Sequence, residues 1–311
     1  MIRHALRFEA VSRRYGLRGP KALDAFSCHF PRGAVSGLVG PNGAGKTTAF
    51  SVACGFLRPD SGYVDVLGEG PFDPWKLKGR LGVLPQDAEL GDRHTPRELL
   101  AHLAALQGLA RSRALHEADR VLDQVLLSDR RDKGIRTLSH GMRRRVAVAT
   151  ALVGAPELVL LDEPTAGLDP VQARALRDTL AALRGSRTLV ISSHNLDELE
   201  RLSDHVVVLD RGRCLQEGAL ATVTHRAQRV EWILGPGPAP LADLEAALPG
   251  HTFELRGPRL LQWAPPDADL DGSSVRVMEI LASHRVPLVQ MRRGTSLEET
   301  VYDGLVGTLE P

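Results

Sequence analysis

The chain has 311 residues, of which 43% are hydrophobic and 25% are charged, and its formal net charge is +1. This length is sufficient for two domains, and the composition is typical of a globular protein and excludes a wholly disordered one. A net charge so close to zero excludes a general electrostatic attraction to nucleic acid or anionic membranes, so partners must be inferred from local sites.

The amino-terminal stretch MIRHALRFEAVSRRYG contains early arginines but lacks the apolar core of a secretory signal. No uninterrupted apolar run approaches the roughly 18 residues that a bilayer span requires, so we expect a cytosolic chain. Its three cysteines, Cys28, Cys54 and Cys214, are far apart and lie outside any metal-type cluster, which favours buried free thiols.

Four short apolar runs, separated by helix-like segments, predict strands that are buried on both faces. They are Val35–Val39, Leu158–Leu161, Leu189–Ile191 and Val206–Leu209. Strands of this kind occur in mainly parallel sheets that are covered by helices. We therefore expect an α/β fold.

The first run is followed by GPNGAGKTT, residues 40–48, which satisfies the pattern G-x-x-x-x-G-K-[ST] between a predicted strand and a predicted helix. Its glycines let backbone N–H groups wrap around a phosphate, and the helix amino terminus adds partial positive charge. Lys46 is expected to reach the β- and γ-phosphates, and the hydroxyl of Thr47 to bind Mg²⁺. The residues assigned to nucleotide binding in this loop are Gly40, Pro41, Asn42, Gly43, Ala44, Gly45, Lys46, Thr47 and Thr48.

From about residue 87 to residue 140 the sequence has only helical patterns, which predict a helical subdomain. Its two amphipathic stretches are RELLAHLAALQGL, which Pro96 opens, and ALHEADRVLDQVLL. LSHGMRRRVAVATALVG, residues 138–154, begins with a polar turn and continues with apolar residues at helical spacing. This stretch is either an ordinary capped helix or a helix whose amino-terminal backbone contacts phosphate.

The segment ELVLLDEPTAGLD, residues 157–169, carries two carboxylates at the end of a predicted buried strand. Open α/β sheets hold their ligands at this edge. Asp162 is expected to hold Mg²⁺, directly or through water, and Glu163 to polarise the attacking water. The alternative is that the two acidic residues are only the solvated start of a loop.

Together with LGVLPQD and ISSHNLDE, these segments have the order and spacing of the motifs of ATP-binding cassette (ABC) ATPases, which the chain resembles over about residues 1–225. The resemblance implies a P-loop NTPase fold of the ABC type. That fold has a mainly parallel sheet, an antiparallel edge subdomain and a helical insertion. It also implies that the protein binds ATP with Mg²⁺ and hydrolyses it.

The resemblance assigns further roles. Tyr15 corresponds to the aromatic residue that stacks on adenine, and Gln86 to a ligand of Mg²⁺ and water at the hinge of the helical insertion. Asp169 belongs to the D-loop, and His194 is the switch histidine that contacts the γ-phosphate. The alternatives are a half-buried surface aromatic for Tyr15, a polar loop residue for Gln86 and a structural histidine at a strand end for His194.

The signature motif of the family is Leu-Ser-Gly-Gly-Gln, whereas this chain has His140 and Met142 at the third and fifth positions. A helix amino terminus binds anions through backbone N–H groups and its dipole, so Ser139, a close approach at Gly141 and the following helix are the indispensable features. In the family, this segment faces the phosphate loop of a second subunit. We therefore expect a dimer that holds ATP between subunits, with Ser139 and Gly141 acting on the partner's nucleotide.

The sequence pattern changes after about His225, and GPGPAP, residues 235–240, is a loop whose glycines and prolines exclude regular structure. The residue patterns of this carboxy-terminal region predict, in order, a strand in RVEWIL, a helix in LADLEAAL, strands in TFEL and RLLQWA, a helix in SVRVMEILASH and a strand in PLVQMR. This βαββαβ order predicts a small α+β ferredoxin-like domain over 226–311, after an ATPase domain over 1–225. Ser296 and Glu299 form a predicted capping box for a final helix.

The predicted function is that of the ATP-binding and ATP-hydrolysing subunit of an ABC transporter, specifically of an exporter whose permease is a separate polypeptide. GMRRR and the ending RRGTSLEETVYDGL resemble that branch of the family. The expected partners are a second ATPase subunit, in the simplest case a homodimer, and the permease. These would place the chain on the cytoplasmic face of the membrane, with the surface near Gln86 and HTPRELLAHL against the permease.

Two other functions fit the sequence less well. A soluble ABC ATPase that acts on ribosomes or DNA usually carries two cassettes, a long coiled coil or zinc-binding cysteines, which this sequence lacks. A nucleotide kinase or GTPase leaves Asp162 and Glu163 unexplained, and the sequence has no Asn-Lys-x-Asp motif. We expect no nucleic-acid partner and no metal other than Mg²⁺, and we interpret the basic run Arg143–Arg145 as a solvated face or an intersubunit contact.

Overall fold

The computed structural model describes residues 4–16, 19–225, 228–265 and 267–306, with side chains up to residue 301. The chain forms two compact units, Met1–Glu217 and Gly218–Pro311. None of the described helices is long and apolar enough to span a bilayer.

The first unit contains a three-stranded antiparallel sheet and a six-stranded sheet. Its strands are β1 (His4–Arg14), β2 (Lys21–Pro31), β3 (Val35–Val39), β4 (Ser61–Val66), β5 (Leu81–Leu84), β6 (Leu158–Asp162), β7 (Thr188–Ser192), β8 (His205–Asp210) and β9 (Arg213–Ala219). The smaller sheet has the order β2-β1-β4, and the larger has the order β5-β6-β7-β3-β8-β9. The predicted antiparallel edge sheet is therefore present.

The centre of the larger sheet is parallel. Strand β3 pairs in parallel with β7 and β8, and β6 pairs in parallel with β5 and β7. The four apolar runs of the sequence form β3, β6, β7 and β8, and every residue of these strands is buried. Because the strands run in the same direction, the carboxyl ends of β3 and β6 meet at one edge of the sheet.

The helices of the first unit are α1 (Lys46–Ala53), α2 (Pro96–Leu106), α3 (Arg111–Gln124), α4 (His140–Leu152), α5 (Pro170–Ala181) and α6 (Leu196–Leu202). Within residues 87–140, which the structure describes in full, only helices α2 and α3, two short 3-10 helices and the start of α4 occur. This segment is therefore helical and contains no strand. A capping box begins α2, where Thr95 accepts from the Glu98 backbone and Glu98 accepts from the Thr95 backbone.

The core of the first unit joins the two sheets around α1. The rings of Phe8 and Phe26 lie 5.1 Å apart in a tilted arrangement, which is a favourable geometry for aromatic pairs. Val190 and Val207, from the parallel strands, belong to the same buried cluster. Burying each side chain of this size stabilises the fold by about 1.5–3 kcal/mol, so α1 is firmly packed at the sheet edge.

The second unit begins with α7 (Leu220–Val223) and contains a four-stranded antiparallel sheet. Its remaining elements are β10 (Arg229–Leu234), α8 (Leu241–Ala247), β11 (Thr252–Arg256), β12 (Arg259–Trp263), α9 (Leu270–Ser283), β13 (Leu288–Arg293) and α10 (Leu297–Val306). The sheet order is β11-β12-β10-β13, and the segment 235–240 lies outside helices and strands, as expected. From β10 to β13, the order of strands and helices is the predicted one.

Two helix starts in this unit illustrate what local patterns reveal. The capping box of α10 is confirmed, since the Ser296 N–H donates to Glu299 at 3.2 Å and the Glu299 N–H donates to Ser296 at 2.9 Å. Helix α9 begins at Leu270 rather than at the predicted Ser274. The reason is Asp269, whose carboxylate accepts from the Asp271 N–H at 3.0 Å and caps the helix.

Candidate functional site

The segment 40–48 forms a tight loop between β3 and α1, at the carboxyl edge of the parallel strands. Gly45 has φ of 116°, and a Cβ atom added to it would lie 2.4 Å from the Ala22 carbonyl oxygen. A Cβ atom on Gly40 would lie 2.0 Å from the Leu209 carbonyl oxygen. Neither position accepts a side chain, and this close approach fixes the curvature that turns backbone N–H groups inward.

Lys46 is the first residue of α1, and its ammonium group lies within the loop. The Nζ atom donates to the Gly40 carbonyl at 2.7 Å and to the Pro41 carbonyl at 3.0 Å. Burial lowers the pKa of Lys46 from its ordinary value, and the negative charges of Glu163 and Asp162 oppose that effect. The loop therefore holds a positive charge where phosphates would enter.

Asp162 is the last residue of β6, and both of its carboxylate oxygens are engaged. The Thr47 hydroxyl donates to Oδ2 at 2.8 Å, and the Ser192 hydroxyl donates to Oδ1 in a short hydrogen bond. The structure thus brings together two predicted Mg²⁺ ligands. A hydroxyl and a carboxylate provide the hard oxygen donors that Mg²⁺ prefers, so these residues fit that ion.

Glu163 and His194 form the second polar pair of the site. An Oε2 atom of Glu163 lies 2.7 Å from Nδ1 of His194. The Glu163 backbone N–H donates to the Ser192 carbonyl at 3.1 Å and also contacts the Ser192 hydroxyl at 3.2 Å. The Glu163 side chain is buried, whereas that of His194 is 69% exposed and is therefore accessible to a ligand.

Lys46, Thr47, Asp162 and Glu163 line an open cavity of about 890 Å³, whereas the predicted site residues Gly40, Pro41, Ala44 and His194 are not among its lining residues. Binding sites for small molecules typically measure about 300–1,000 Å³, so the cavity can accommodate a nucleotide. Tyr15 lies at its wall with a half-exposed ring, and its hydroxyl is 3.2 Å from the Thr48 hydroxyl. The predicted site residues that line the cavity are Tyr15, Asn42, Gly43, Gly45, Lys46, Thr47, Thr48, Gln86, Asp162 and Glu163.

Ser139, Gly141 and Asp169 do not line this cavity and instead lie together at two helix starts. Ser139 caps α4, since its hydroxyl accepts from the Met142 N–H at 3.2 Å. Asp169 caps α5, accepting from the Gln172 N–H at 2.9 Å, and these hydrogen bonds lower the pKa of Asp169. A Cβ atom added to Gly141 would lie 2.2 Å from Oε1 of Gln172, so the two helix starts are in close contact.

His140 is exposed and leans over the D-loop. A Cβ atom on Gly167 would lie 2.5 Å from the Cε1 atom of His140. The unusual residue in the signature therefore packs on a neighbouring loop of its own chain.

Arg144 is a site residue that the sequence did not reveal. Its guanidinium donates to four backbone carbonyls, those of Gln86 at 3.2 Å, Asp162 at 2.9 Å, Glu163 at 2.6 Å and Pro164 at 3.3 Å. One side chain of α4 thus fixes the backbone on both sides of the carboxylate pair. Because the acceptors are main-chain atoms, no sequence motif marks them.

The interpretation of the basic run as a solvated face or an intersubunit contact was wrong for two of its three members. Besides Arg144, Arg145 donates to the carbonyls of Val125 and Leu126 at 3.2 and 3.0 Å. Arg143 alone among them is exposed. The two part-buried arginines hold α4 to neighbouring segments of the same chain.

Comparison with known proteins gives consistent results. A family model described as ABC transporter matches residues 23–166. The chain is 38% identical to the daunorubicin resistance ATP-binding protein DrrA3 of Streptomyces coeruleorubidus over 216 residues, covering 69% of this chain and 68% of the relative. It is 36% identical to the Nod factor export ATP-binding protein I of Burkholderia thailandensis over 274 residues, covering 85% of this chain and 89% of the relative.

Solved structures agree in fold. The chain superimposes on cbiO1 from Clostridium perfringens, part of the ABC transporter complex cbiONQ, with a TM-score of 0.64 and 29% identity, over 71% of this chain and 90% of that one. The chain also superimposes on the dimeric ATP-binding cassette MJ0796, bound to ADP and Pi, with a TM-score of 0.63 and 21% identity, over 69% of this chain and 98% of that one. At this identity the similarity supports the fold alone. The chain therefore belongs to the ATP-binding cassette transporter family, as an ATP-binding and ATP-hydrolysing subunit.

Proposed function

We propose that the chain is the ATPase subunit of an exporter, and that it drives a separately encoded membrane permease. The observation that carries the mechanism is that Thr47, Asp162 and Glu163 line one cavity with Lys46, and that His194, which does not line it, contacts the Glu163 carboxylate. Relatives named for daunorubicin resistance and Nod factor export support transport over action on ribosomes or DNA.

ATP would enter the cavity with its adenine on Tyr15 and its phosphates in the loop 40–48. The loop N–H groups and the amino terminus of α1 favour the phosphate charge. Lys46 would exchange its two carbonyl acceptors for oxygens of the β- and γ-phosphates. Gly40, Pro41 and Ala44 contribute to this step through the shape of the loop backbone.

Mg²⁺ would be held by Thr47 and Asp162, with Gln86 as a further ligand of the ion or of its water. When bound, the ion would supply charge neutralisation at the phosphates. The hydrogen bond from the Ser192 hydroxyl to Oδ1 of Asp162 helps to orient that carboxylate, whose other oxygen accepts from Thr47. These residues therefore select an oxygen-preferring cation.

Glu163 would orient the water that attacks the γ-phosphate and accept its proton. His194 would hold the Glu163 carboxylate through the 2.7 Å contact and would also contact the γ-phosphate. The carboxylate is buried and lines the cavity, whereas the imidazole is exposed and accessible. In-line attack follows from placing the water opposite the leaving oxygen.

A second copy of the chain would complete the site. Ser139, Gly141 and Asp169 are away from their own cavity and gather at the starts of α4 and α5, which is the arrangement needed to act on a partner's nucleotide. Two subunits would then hold two ATP molecules between them. Closing and reopening this homodimer would move the permease.

The other assignments rest on the family and on topology. We propose an ATPase domain over 1–225 and an accessory domain over 226–311, whose βαββαβ order and antiparallel sheet β11-β12-β10-β13 support a ferredoxin-like fold. The permease would contact the surface near Gln86 and α2. This contact would hold the chain at the cytoplasmic face of the membrane, and nucleic acid is not among the proposed partners.

The test is the oligomeric state of Glu163→Gln, which keeps the shape of the site but removes the base. With saturating Mg-ATP we expect this variant to sediment as a dimer, alone or with its permease, because ATP is bound and not hydrolysed. Lys46→Ala, which loses the phosphate contact, is the matched control and should remain monomeric. A Glu163→Gln variant that stays unpaired in both settings would refute the proposed mechanism.

A further inference from the structure

Three side chains with metal-binding atoms lie together in the first unit, and the proposed ATPase mechanism uses none of them. They are His29 on β2, His205 at the start of β8 and Glu217 on β9. One ligand atom from each lies within 4.8 Å of the ligand atoms of the other two. Two imidazoles and one carboxylate form a donor set that is typical of zinc sites.

The cluster is held by the backbone as well as by side chains. The His29 N–H donates to Oε1 of Glu217 at 3.0 Å, and the same oxygen contacts Nδ1 of His29. The rings of His29 and His205 have centroids 5.6 Å apart. The positions of these groups are therefore set by strand pairing and packing.

A second observation concerns His205. This residue is only 6% exposed, and its Nδ1 atom is buried without a hydrogen-bond partner in the part of the chain that the structure describes. A buried polar atom normally has a partner, and leaving it unpaired costs about 1–3 kcal/mol. A bound ligand would therefore give the buried Nδ1 atom of His205 the partner that it lacks.

We propose that His29, His205 and Glu217 bind one divalent transition-metal ion of the Zn²⁺ class. Ligand bonds of about 2.0–2.2 Å in a tetrahedral site place ligand atoms about 3.5 Å apart, so the side chains need only small movements. The ion takes the place of the proton between His29 and Glu217. Water completes the coordination, since three protein ligands leave one position open.

The position of the cluster indicates a structural ion and not a catalytic one. His205 pairs in register with Ser36, near the start of β3, whereas the nucleotide loop follows the end of that strand. The ion would therefore lie at the opposite edge of the parallel sheet from Lys46. It would join β2, of the three-stranded sheet, to β8 and β9, of the six-stranded sheet.

The experiment is a titration of the metal-stripped full-length protein with Zn²⁺, in excess Mg²⁺ so that the oxygen site at Asp162 does not compete. We expect one equivalent of Zn²⁺ by calorimetry and a rise in melting temperature, because an ion that binds only the folded state stabilises it. Co²⁺ should give the visible absorption of a tetrahedral site.

His29→Ala and Glu217→Gln are the informative variants, since neither removes a fully buried side chain. Each should weaken Zn²⁺ binding at least tenfold and abolish the Co²⁺ absorption, while ATPase activity remains unchanged. His116→Ala, which removes an exposed imidazole from α3, is the matched control and should bind like the parent. Absence of stoichiometric binding by the parent, or parent-like affinity in both variants, would overturn the proposal.

Discussion

Glu163 has an uncommon backbone conformation, with φ of 52°. This left-handed region costs a residue with a side chain about 1–2 kcal/mol. The two contacts from its N–H to Ser192 and the hydrogen bonds from Arg144 to the surrounding carbonyls hold it there. Its carboxylate is therefore positioned by its neighbours, and strain of this kind is common at catalytic sites.

We expect Glu163→Gln to lower kcat for ATP hydrolysis by about 10²–10⁴-fold, because an amide cannot accept the proton of the attacking water. ATP affinity should change little, since the amide retains the size of the side chain. Steady-state ATPase kinetics and equilibrium nucleotide binding measure the two quantities. Glu245→Gln, in the second unit, is the control, and a parent-like kcat for Glu163→Gln would contradict the role of this residue as the base.

Substitutions at two adjacent positions of the signature form a matched pair. His140→Gly should leave the ATPase rate within about fivefold, because the exposed ring packs on Gly167 of its own chain. Gly141→Asp should abolish activity, because the new side chain collides with Gln172 and brings a carboxylate toward the proposed nucleotide contact. Rates measured under identical conditions decide this, and equal damage from both changes would disprove our interpretation.

At the scale of elements, Arg144 links α4 to the ends of β5 and β6. Its hydrogen bonds reach the carbonyls of Gln86, from which the helical insertion departs, and of Asp162 and Glu163. A displacement of α4 would therefore alter the backbone that presents both carboxylates. This linkage provides a physical route by which a contact at the helical insertion could affect hydrolysis.

Arg144→Ala is expected to destabilise the first unit by about 2–4 kcal/mol, because it leaves several carbonyls without their charged donor. ATPase activity should fall in the fraction that remains folded. Arg143→Ala is the natural control, since that neighbour is exposed and its loss should cost less than about 0.5 kcal/mol. Urea denaturation compares the two, and similar unfolding free energies would show that the hydrogen bonds of Arg144 contribute nothing.

The elements also show how far a sequence can be interpreted. The parallel strands, the capping box at Ser296 and the phosphate loop are local patterns, so their residues could be assigned without a structure. The start of α9 was misplaced because the capping role of Asp269 was not recognised. The carbonyl partners of Arg144 and the grouping of His29 with His205 depend on how distant segments pack, and spacing along the chain contains no record of them.

At the scale of the whole molecule, the burial of the three cysteines and the pKa values of their thiols indicate how tightly the first unit is packed. Burial raises the pKa of Cys54 to about 12 and that of Cys214, with a further contribution from Glu217, to about 11. Burial also raises the pKa of the Cys28 thiol well above its ordinary value. All three cysteines are free, as expected, and Cys28 and Cys54 are buried, whereas Cys214 is only partly buried. Their raised pKa values favour the thiol over the thiolate at neutral pH.

Alkylation by iodoacetamide at pH 8 should therefore be slow for all three thiols in the native protein and fast in denaturant. Raising the pH should accelerate the native reaction only as it approaches the raised pKa values. Mg-ATP should slow the modification of Cys54 further in mild denaturant, because bound nucleotide stabilises the folded state. Mass spectrometry gives the rate at each site, and rapid labelling of Cys54 in the native protein would contradict this description.

The two carbonyls that accept hydrogen bonds from Lys46 make the loop select ligands by their negative charge. An anion that binds the ammonium group must displace the Gly40 and Pro41 carbonyls, which lie at 2.7 and 3.0 Å. The net binding free energy is therefore only the difference between the attraction of the anion and that of the two carbonyls. Oxygens with more negative charge gain more from this exchange. We therefore expect a preference for a triphosphate over a diphosphate to begin inside one subunit, independently of the proposed dimer.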